Sequence, residues 1–230
     1  MNAAEVIQAL IERNNARRYL EIGVFKGETF LAIKVPHKTG VDPCFRMRWW
    51  RKRLWPRLRH PFQSIVYREV TSNEYFRAFA DEEKFDVIFV DGLHTYGQAL
   101  QDILDATELL LEGGVIVAHD CNPPHAAAAY PAKSFPDAVA VDLDGWSGDW
   151  CGDAWKAICH LRSLRHDLNV FTLDCDFGLG VVTRGAAEAP LDLTEDNLQA
   201  MTYEDLEKDR ANLLNLKPAE YISEFLNTIR

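Results

Sequence analysis

The strongest constraint on the fold is a pair of apolar segments that each end in acidic or imidazole side chains. Residues 85–91 (FDVIFVD) are mostly β-branched and aromatic, and residues 115–118 (VIVA) repeat this pattern before His119 and Asp120. Such runs are typical of strands that are buried on both faces of a parallel sheet. Parallel neighbours need a crossover connection, which is usually a helix. The sequence therefore predicts strands that alternate with helices.

The rest of the chain is consistent with a doubly wound, mostly parallel α/β sheet, whose ligands bind at the carboxyl ends of its strands. Apolar residues at helical spacing predict helices, and short runs of β-branched and aromatic residues predict strands and a terminal β-hairpin. The predicted helices cover 3–18, 29–33, 71–79, 96–111 with Gly113-Gly114 as a C-cap, 153–165, and much of the chain beyond 191; the predicted strands cover 19–22, 64–70, 85–91 and 115–118, with another ending at 42 and a hairpin of 169–173 and 179–183.

Length and composition narrow the function. The 230 residues with 47% hydrophobic content can form one substantial core, and the net charge of −10 disfavours general nucleic-acid binding. No apolar run approaches the roughly 20 residues that cross a bilayer, and the first 20 residues do not resemble a signal peptide. We expect a cytoplasmic protein. Its five cysteines contain no Cys-x-x-Cys pair, which favours reduced thiols over disulfides or structural zinc.

Residues 19–29 (YLEIGVFKGET) predict a ligand-binding turn between a strand and a helix. Gly23 permits a sharp turn, and Gly27 permits close approach of a ligand or of the helix. Phe25 stands where a dinucleotide fingerprint has its middle glycine, which argues against NAD or FAD. Glu21 suits a ligand with hydroxyl or amino groups better than a bare phosphate. A purely structural turn is the alternative.

Four segments, in order, resemble the landmarks of class I S-adenosylmethionine-dependent methyltransferases, particularly the bacterial small-molecule O-methyltransferase-like group. They are LEIGVFKGET at 20–29, GVDP at 40–43, FDVIFVDGLHTY at 85–96 and GGVIVAHD at 113–120. The resemblance implies a Rossmann-like, seven-stranded sheet with a C-terminal β-hairpin and helical extension. The methyltransferase domain would cover 1–185, with a basic, Trp-rich insertion at 44–61, and the extension over 186–230 would pack on the same domain.

The same resemblance implies where S-adenosylmethionine lies. Its methionine part would lie over Glu21, Gly23 and Gly27. Asp42 would hold the ribose, because two carboxylate oxygens can accept from two vicinal hydroxyls. The alternative for Asp42 is a turn residue ahead of Pro43.

Further cofactor contacts are implied by the segments that follow. Ser72 and Asn73 would lie near the adenine, although both could equally be a helix cap. Asp91, at the end of the fourth strand, would also bind the cofactor.

Asp91, His119 and Asp120 end two neighbouring strands, which in a parallel sheet lie about 4.8 Å apart. The related metal-dependent enzymes hold a divalent cation at these positions. Two carboxylates suit Mg²⁺, and an imidazole moves the preference toward Mn²⁺, Fe²⁺ or Zn²⁺. The sequence departs from that pattern, because His119 and Asp120 replace an acid followed by asparagine.

His94 falls where that group carries a lysine proposed as general base, so the resemblance implies a catalytic role for His94 beside Asp91. A histidine is suited to proton transfer near neutral pH. A polar loop residue that caps the next helix is the alternative. The long segment 122–150 predicts a lid or binding loop, with Tyr130 and Trp150 as walls of the acceptor pocket or as an oligomer contact.

Residues 46–59 contain seven Lys or Arg and three of the six Trp, which leaves the rest of the chain at −17. Such a segment favours pairing with the acidic C-terminal helices of the same or a neighbouring subunit, in a homo-oligomer. An anionic acceptor and a membrane surface are the next alternatives, and nucleic acid is the last.

The sequence thus predicts an S-adenosylmethionine-dependent methyltransferase that transfers the methyl group to an oxygen of a small molecule or glycan. Catalysis with and without a divalent metal both remain open. Two other classes remain open. One is a cofactor-binding regulatory protein without turnover. The other is a nucleotide-dependent oxidoreductase, which the missing middle glycine disfavours.

Overall fold

The computed structural model describes residues 1–48, 63–79 and 83–229. The strands in this part of the chain form a single sheet. In chain order they are β1 (Arg18–Ile22), β2 (His37–Val41), β3 (Ser64–Arg68), β4 (Phe85–Val90), β5 (Leu110–Ala118), β6 (Leu168–Asp174), β7 (Leu179–Arg184) and β8 (Leu216–Pro218). The spatial order is β3-β2-β1-β4-β5-β7-β6-β8.

The described helices connect these strands and cover both faces of the sheet. They are α1 (Ala3–Arg13), α2 (Glu28–Ala32), α3 (Ser72–Phe79), α4 (Tyr96–Leu109), α5 (Phe135–Ala140), α6 (Trp155–Leu164), α7 (Glu195–Ala200), α8 (Tyr203–Leu213) and α9 (Tyr221–Thr228). Every helix among these is too short or too polar to cross a membrane.

The order of the strands reverses between β1 and β4, and this position determines where the site lies. The chain leaves β1 for β2 and β3 on one side and returns to β4 on the other. Ile22 pairs with Val90, and Val90 pairs in parallel with Ala118. The next residues, Gly23, Asp91 and His119, consequently lie side by side at the carboxyl ends of the strands.

Both faces of the central strands are buried, as the apolar runs predict. Val87 and Ile88, which point to opposite faces of β4, are completely buried. Ile88 belongs to a core cluster that also contains Leu206 and Leu213 of α8, whereas Val87 belongs to the cluster that contains Phe225 of α9. The C-terminal helices therefore pack on both layers of the sheet. The domain boundary at residue 185 stays a prediction.

Some sequence-based boundaries are wrong. The first helix ends at Arg13 rather than at residue 18, because Asn15 takes a left-handed conformation before β1. Gly113-Gly114 is not a helix C-cap, because α4 stops at Leu109 and β5 begins at once. The two glycines lie in an irregularity of the β4–β5 pairing, where a Cβ on Gly114 would come within 2.9 Å of the Asp86 carbonyl oxygen.

Within the described residues the sheet has eight strands where the resemblance implied seven, because the short β8 adds to β6 in parallel. The long segment 122–150 includes one helix, α5, whose N-cap is Ser134. Most of the basic insertion lies outside the described residues, so the predictions made for 46–59 remain predictions.

Gly23 allows two strand ends to come into backbone contact. Its φ is +87°, and a Cβ at this position would lie 1.8 Å from the Asp91 carbonyl oxygen. We expect Gly23→Ala to lower the free energy of unfolding by about 3 kcal/mol, because strain and overlap add. Urea denaturation measures this change.

The matched control is Gly97→Ala. Gly97 lies in α4, and a Cβ added there would meet no atom within 4 Å outside the backbone of its own helix. An alanine in this helix should raise the free energy of unfolding by about 0.5–1 kcal/mol. Equal losses in the two variants would contradict the packing argument.

Candidate active site

Two carboxylates and two imidazoles form a compact cluster at the carboxyl ends of β4 and β5. His94 Nε2 lies 3.4 Å from Asp91 Oδ1 and 3.2 Å from Asp120 Oδ2. His119 Nδ1 lies 3.4 Å from Asp91 Oδ1 and 3.0 Å from Asp120 Oδ2. The same two oxygen atoms therefore lie between the two rings. We call these four residues the catalytic cluster.

The turn after β5 places two consecutive side chains in the catalytic cluster. Asp120 has φ +60°, a left-handed conformation that aspartate tolerates better than most residues. Beyond it, Cys121 N donates to the Gly178 carbonyl and Asn122 N donates to the Phe177 carbonyl. These bonds attach the end of β5 to the turn between β6 and β7.

His94 is held in place by a residue that is distant in sequence. Its Nδ1 lies 2.6 Å from the Trp150 carbonyl oxygen, and its ring stacks on the Trp150 indole at 5.3 Å between centroids. Because a carbonyl only accepts, Nδ1 must carry the proton, which leaves Nε2 facing the carboxylates. The indole N–H donates to the Tyr130 carbonyl oxygen. Trp150 thus positions His94, and its predicted role as a pocket wall stays a prediction.

Charge within the catalytic cluster shifts the pKa of its members. Burial alone would lower the pKa of His94, but Asp120 and Asp91 raise it to about 9. Burial alone would also lower the pKa of His119, but Asp91 and Asp120 raise it well above its usual value. Burial alone would raise the pKa of Asp91, but His119 and His94 hold it well below its usual range. The site therefore favours positive charge between its two carboxylates.

A divalent cation fits this arrangement. Asp91, His94 and Asp120 offer ligand atoms that all lie within 4.8 Å of one another. The sequence predicted His119 as the third ligand, but the residue that joins the two aspartates in this group is His94. The Trp150 carbonyl is the outer-shell acceptor that metal-binding histidines usually have. Two carboxylates with one imidazole suit Mn²⁺, Fe²⁺ or Zn²⁺ better than Mg²⁺.

The other side of His119 faces residues that the sequence analysis did not single out. His119 Nε2 lies 3.6 Å from Asp176 Oδ2, and the Phe177 ring centroid lies 6.4 Å from that of His119. Asp176 Oδ2 also accepts from the Ala3 backbone N–H at 2.6 Å. The sequence showed Asp176 and Phe177 only as members of a hairpin turn, and no local signal connects them with β5.

Glu21 lies beneath the glycine turn rather than in an open cleft. It is 2% exposed, and the Tyr19 hydroxyl donates to its Oε2 at 2.5 Å. Lys38, which is also buried, donates to the carbonyl oxygens of Phe30 and Ile33 at the end of α2. The Lys38 bonds connect β2 with the end of α2. The predicted contact between Glu21 and the methionine part of the cofactor stays a prediction.

Asp42 fixes the shape of the glycine turn. Its Oδ2 accepts from the Phe25 N–H and its Oδ1 from the Cys44 N–H, both at 2.7 Å. These are the contacts that the turn interpretation expects. A carboxylate offers about four lone-pair sites, so Asp42 can still accept from two ribose hydroxyls. The carboxylate is oriented at the end of β2, which fits a nucleoside.

Ser72 and Asn73 are not the cap of α3. Thr71 and Glu74 make that cap, because Thr71 N donates to Glu74 Oε2 and Glu74 N donates to Thr71 Oγ1. Gln98 Nε2 instead lies 3.3 Å from Ser72 Oγ and 3.1 Å from Asn73 Oδ1. The two residues are thus free of a capping role, and their place near the adenine stays a prediction.

Comparisons with known proteins agree with the fold. Residues 20–121 match a family model described as a methyltransferase domain. A search of curated proteins finds no match. Among solved structures, the chain is similar to a Klebsiella pneumoniae protein classed as an O-methyltransferase, at 15% identity and a TM-score of 0.58, over 81% of this chain and 82% of that one.

Two further structures share the fold. A Staphylococcus aureus protein classed as a caffeoyl-CoA O-methyltransferase has 18% identity and a TM-score of 0.55, over 79% of this chain and 82% of that one. An O-methyltransferase from Bacillus cereus, solved in complex with SAH, has 16% identity and a TM-score of 0.54, over 79% of this chain and 80% of that one.

Residues 20–121 are thus similar to a methyltransferase domain, and they contribute five strands of the Rossmann-like α/β sheet. The sheet has the Rossmann-like fold that the chain shares with these O-methyltransferase structures.

The buried Glu21 should make stability depend on pH. Burial raises its pKa from 4.5 to about 8. The folded protein therefore keeps a proton that the unfolded chain releases, so this stabilisation is complete below pH 4.5 and is lost as the pH rises through about 8. Glu21→Gln cannot titrate and should show a smaller loss of stability over this range, as measured by urea unfolding.

The control is Glu108→Gln on the exposed side of α4, which should keep the pH dependence of the unchanged protein. A Glu21→Gln variant with that same dependence would show that Glu21 is ionised in the folded state.

Proposed function

We propose that the protein is an S-adenosylmethionine-dependent methyltransferase that methylates a hydroxyl oxygen of a small-molecule or glycan acceptor, with a divalent cation held by Asp91, His94 and Asp120. One observation supports the proposal above all others: these ligand atoms lie within 4.8 Å of one another, directly beside the glycine turn. Gly23 approaches the Asp91 carbonyl so closely that no side chain could separate them. Donor and acceptor sites would therefore adjoin.

Oxygen is the favoured nucleophile because a hydroxyl must lose its proton to attack, whereas a neutral amine need not. S-adenosylmethionine supplies an electrophilic methyl group on its sulfonium. A divalent cation would supply a Lewis acid that lowers the pKa of the acceptor hydroxyl. Several structurally similar proteins are themselves named O-methyltransferases, which supports the same nucleophile.

The protein's own side chains would mainly position the cation and orient the acceptor toward the methyl group. Methyl transfer is a displacement that needs nucleophile, methyl and leaving group in line. Asp91 and Asp120 would bind the cation from two adjacent strands, and the Trp150 carbonyl would hold the His94 ring so that Nε2 points at them. The side chains of Asp91 and His94 are 29% and 24% exposed, so an acceptor can reach them.

In this proposal His94 is a ligand rather than the general base that the sequence predicted. Its Nδ1 proton is directed at the Trp150 carbonyl, and its Nε2 faces two carboxylates at 3.4 and 3.2 Å. His119 would hold a proton on the opposite side of these carboxylates. The protonated His119 would thereby neutralise the part of the carboxylate charge that the cation leaves uncompensated.

Metal binding tests the ligand set directly. We expect Mn²⁺, titrated calorimetrically into protein treated with a chelator, to bind about 10–100-fold more weakly to His94→Gln and Asp120→Asn, as loss of a ligand or of its support requires. His166→Gln, which changes an exposed histidine far along the chain, is the control. Unchanged Mn²⁺ affinity in His94→Gln would remove His94 from the ligand set.

Methyl transfer tests the activity. We expect the protein to methylate hydroxylated acceptors from a mixed panel of phenols, sugars and amines, to lose this activity with a chelator and to recover it with Mn²⁺. Mass spectrometry and NMR of the product identify the methylated atom.

Binding of S-adenosylhomocysteine without methylation of any acceptor would favour the cofactor-binding regulatory protein. Methylation that is insensitive to the chelator would eliminate the metal. Binding of NAD in place of the methyl donor would favour the oxidoreductase.

A further inference from the structure

A cavity opens beside the catalytic cluster, between the β6–β7 turn and α8. Its volume is about 410 Å³. One wall is the turn itself with the residues that follow β5, and the other is the exposed side of α8. Its lining consists of residues 174–178, Asn122, Pro124, Tyr203, Glu207 and Arg210. We call this cavity the hairpin crevice.

The hairpin crevice adjoins the catalytic cluster through two residues. Asp176 lines the crevice, and its Oδ2 lies 3.6 Å from His119 Nε2. Phe177 lines it too, and its ring meets the His119 ring edge-on at 6.4 Å between centroids. A small molecule in the crevice would therefore have one end close to His119 and Asp120.

The crevice carries an excess of negative charge. Asp174, Asp176 and Glu207 line it, against the single guanidinium of Arg210. That guanidinium is directed at the protein: it donates to Asn122 Oδ1, to the Pro123 carbonyl at 2.8 Å and to the Tyr203 hydroxyl at 3.1 Å. These neutral acceptors leave the guanidinium its charge, but three carboxylates against one guanidinium still give the lining a net negative charge.

Phe177 presents an aromatic ring to solvent in an unfavourable backbone conformation. Asp176 and Phe177 have φ of +50° and +60°, and Gly178 N donates to the Cys175 carbonyl at 2.8 Å. A turn with positive φ at both central residues favours Asn-Gly, and a bulky residue in the left-handed region is an outlier. Such strain commonly marks functional sites. The ring is nevertheless 37% exposed at the edge of the crevice.

We propose that the hairpin crevice binds the methyl acceptor, and that this acceptor is a cyclic hydroxylated amine. Its ring packs on Phe177, its ammonium faces Asp174 and Glu207, and its hydroxyl extends past Asp176 toward the catalytic cluster. An anionic acceptor meets repulsion here, in contrast to the anionic substrate considered from the basic insertion. The inference depends on the proposed function, since it identifies the acceptor of the same reaction.

The test uses two matched series of probes that differ in charge. One series is glucosamine, glucose and glucuronate, and the other is dopamine, 4-methylcatechol and 3,4-dihydroxyphenylacetate. Binding to the full chain, loaded with S-adenosylhomocysteine and Mn²⁺, is measured by ligand-observed NMR. The amine of at least one series should bind about tenfold more tightly than its neutral analogue, as a charge-assisted hydrogen bond provides. The two series distinguish a sugar from a phenol.

Two variants locate the binding in the crevice. Asp174→Asn with Glu207→Gln should remove the tenfold preference for the amine and leave the neutral analogue unchanged. The control pair, Asp192→Asn with Glu224→Gln, removes the same charge from exposed positions elsewhere. Phe177→Gly should weaken binding of every ring in the preferred series. It should also keep or raise the melting temperature, because glycine relieves the left-handed backbone.

Two results would overturn the inference. One is a neutral or anionic probe that binds as tightly as the amine. The other is an amine preference that survives the crevice double variant. Failure of the proposed function is recognised separately, because the protein would then either not bind S-adenosylhomocysteine or not methylate any acceptor of the mixed panel. Binding of S-adenosylhomocysteine without any amine preference defeats only the inference about the acceptor.

Discussion

The site depends on a close approach of two backbones, where the end of β1 meets the end of β4. Gly23 lies against the Asp91 carbonyl with no side chain between them, and Asp91 N donates to the Ile22 carbonyl at 2.9 Å. This contact places the turn expected to hold the methyl donor against the carboxylate expected to help bind the acceptor. Their separation is therefore set by a main-chain hydrogen bond and a close backbone contact.

A second constraint is electrostatic. Asp91 and Asp120 would repel each other if both were ionised in a half-buried site, and the two imidazoles on either side remove that cost. The arrangement is balanced, so loss of any one member leaves a charge without its partner. Such a cluster accepts a cation readily, because positive charge is already favoured at that position. The proposed metal site and the unusual pKa values therefore have the same cause.

Local sequence patterns were enough to predict the central strands and the residues at their carboxyl ends. The apolar runs predicted β4 and β5, and the parallel arrangement implied by them brought Asp91 and Asp120 together. Gly113 and Gly114 were misassigned because a helix end and a strand irregularity both require glycine. The three-residue β8 has too few residues to show any pattern.

Contacts across long stretches of sequence could not be predicted. Trp150 holds His94 from 56 residues away, and Asp176 reaches His119 only because β7 inserts in the antiparallel sense beside β5. These residues follow from topology rather than from spacing. His94 illustrates the difference: its motif suggested a base, whereas its neighbours in space suggest a ligand.

Both ends of the segment between Asn122 and Trp150 are held close to the catalytic cluster. Asn122 N donates to the Phe177 carbonyl, and at the other end a Cβ on Gly152 would lie 1.9 Å from the His94 carbonyl oxygen. Between these anchors, Phe135 and Val139 are about half exposed on the short α5. The residues between these two ends can therefore change in number or type during evolution while Asp120 and His94 keep their positions. Proteins with this fold can therefore differ in the acceptors that they bind while the residues of the catalytic cluster stay the same.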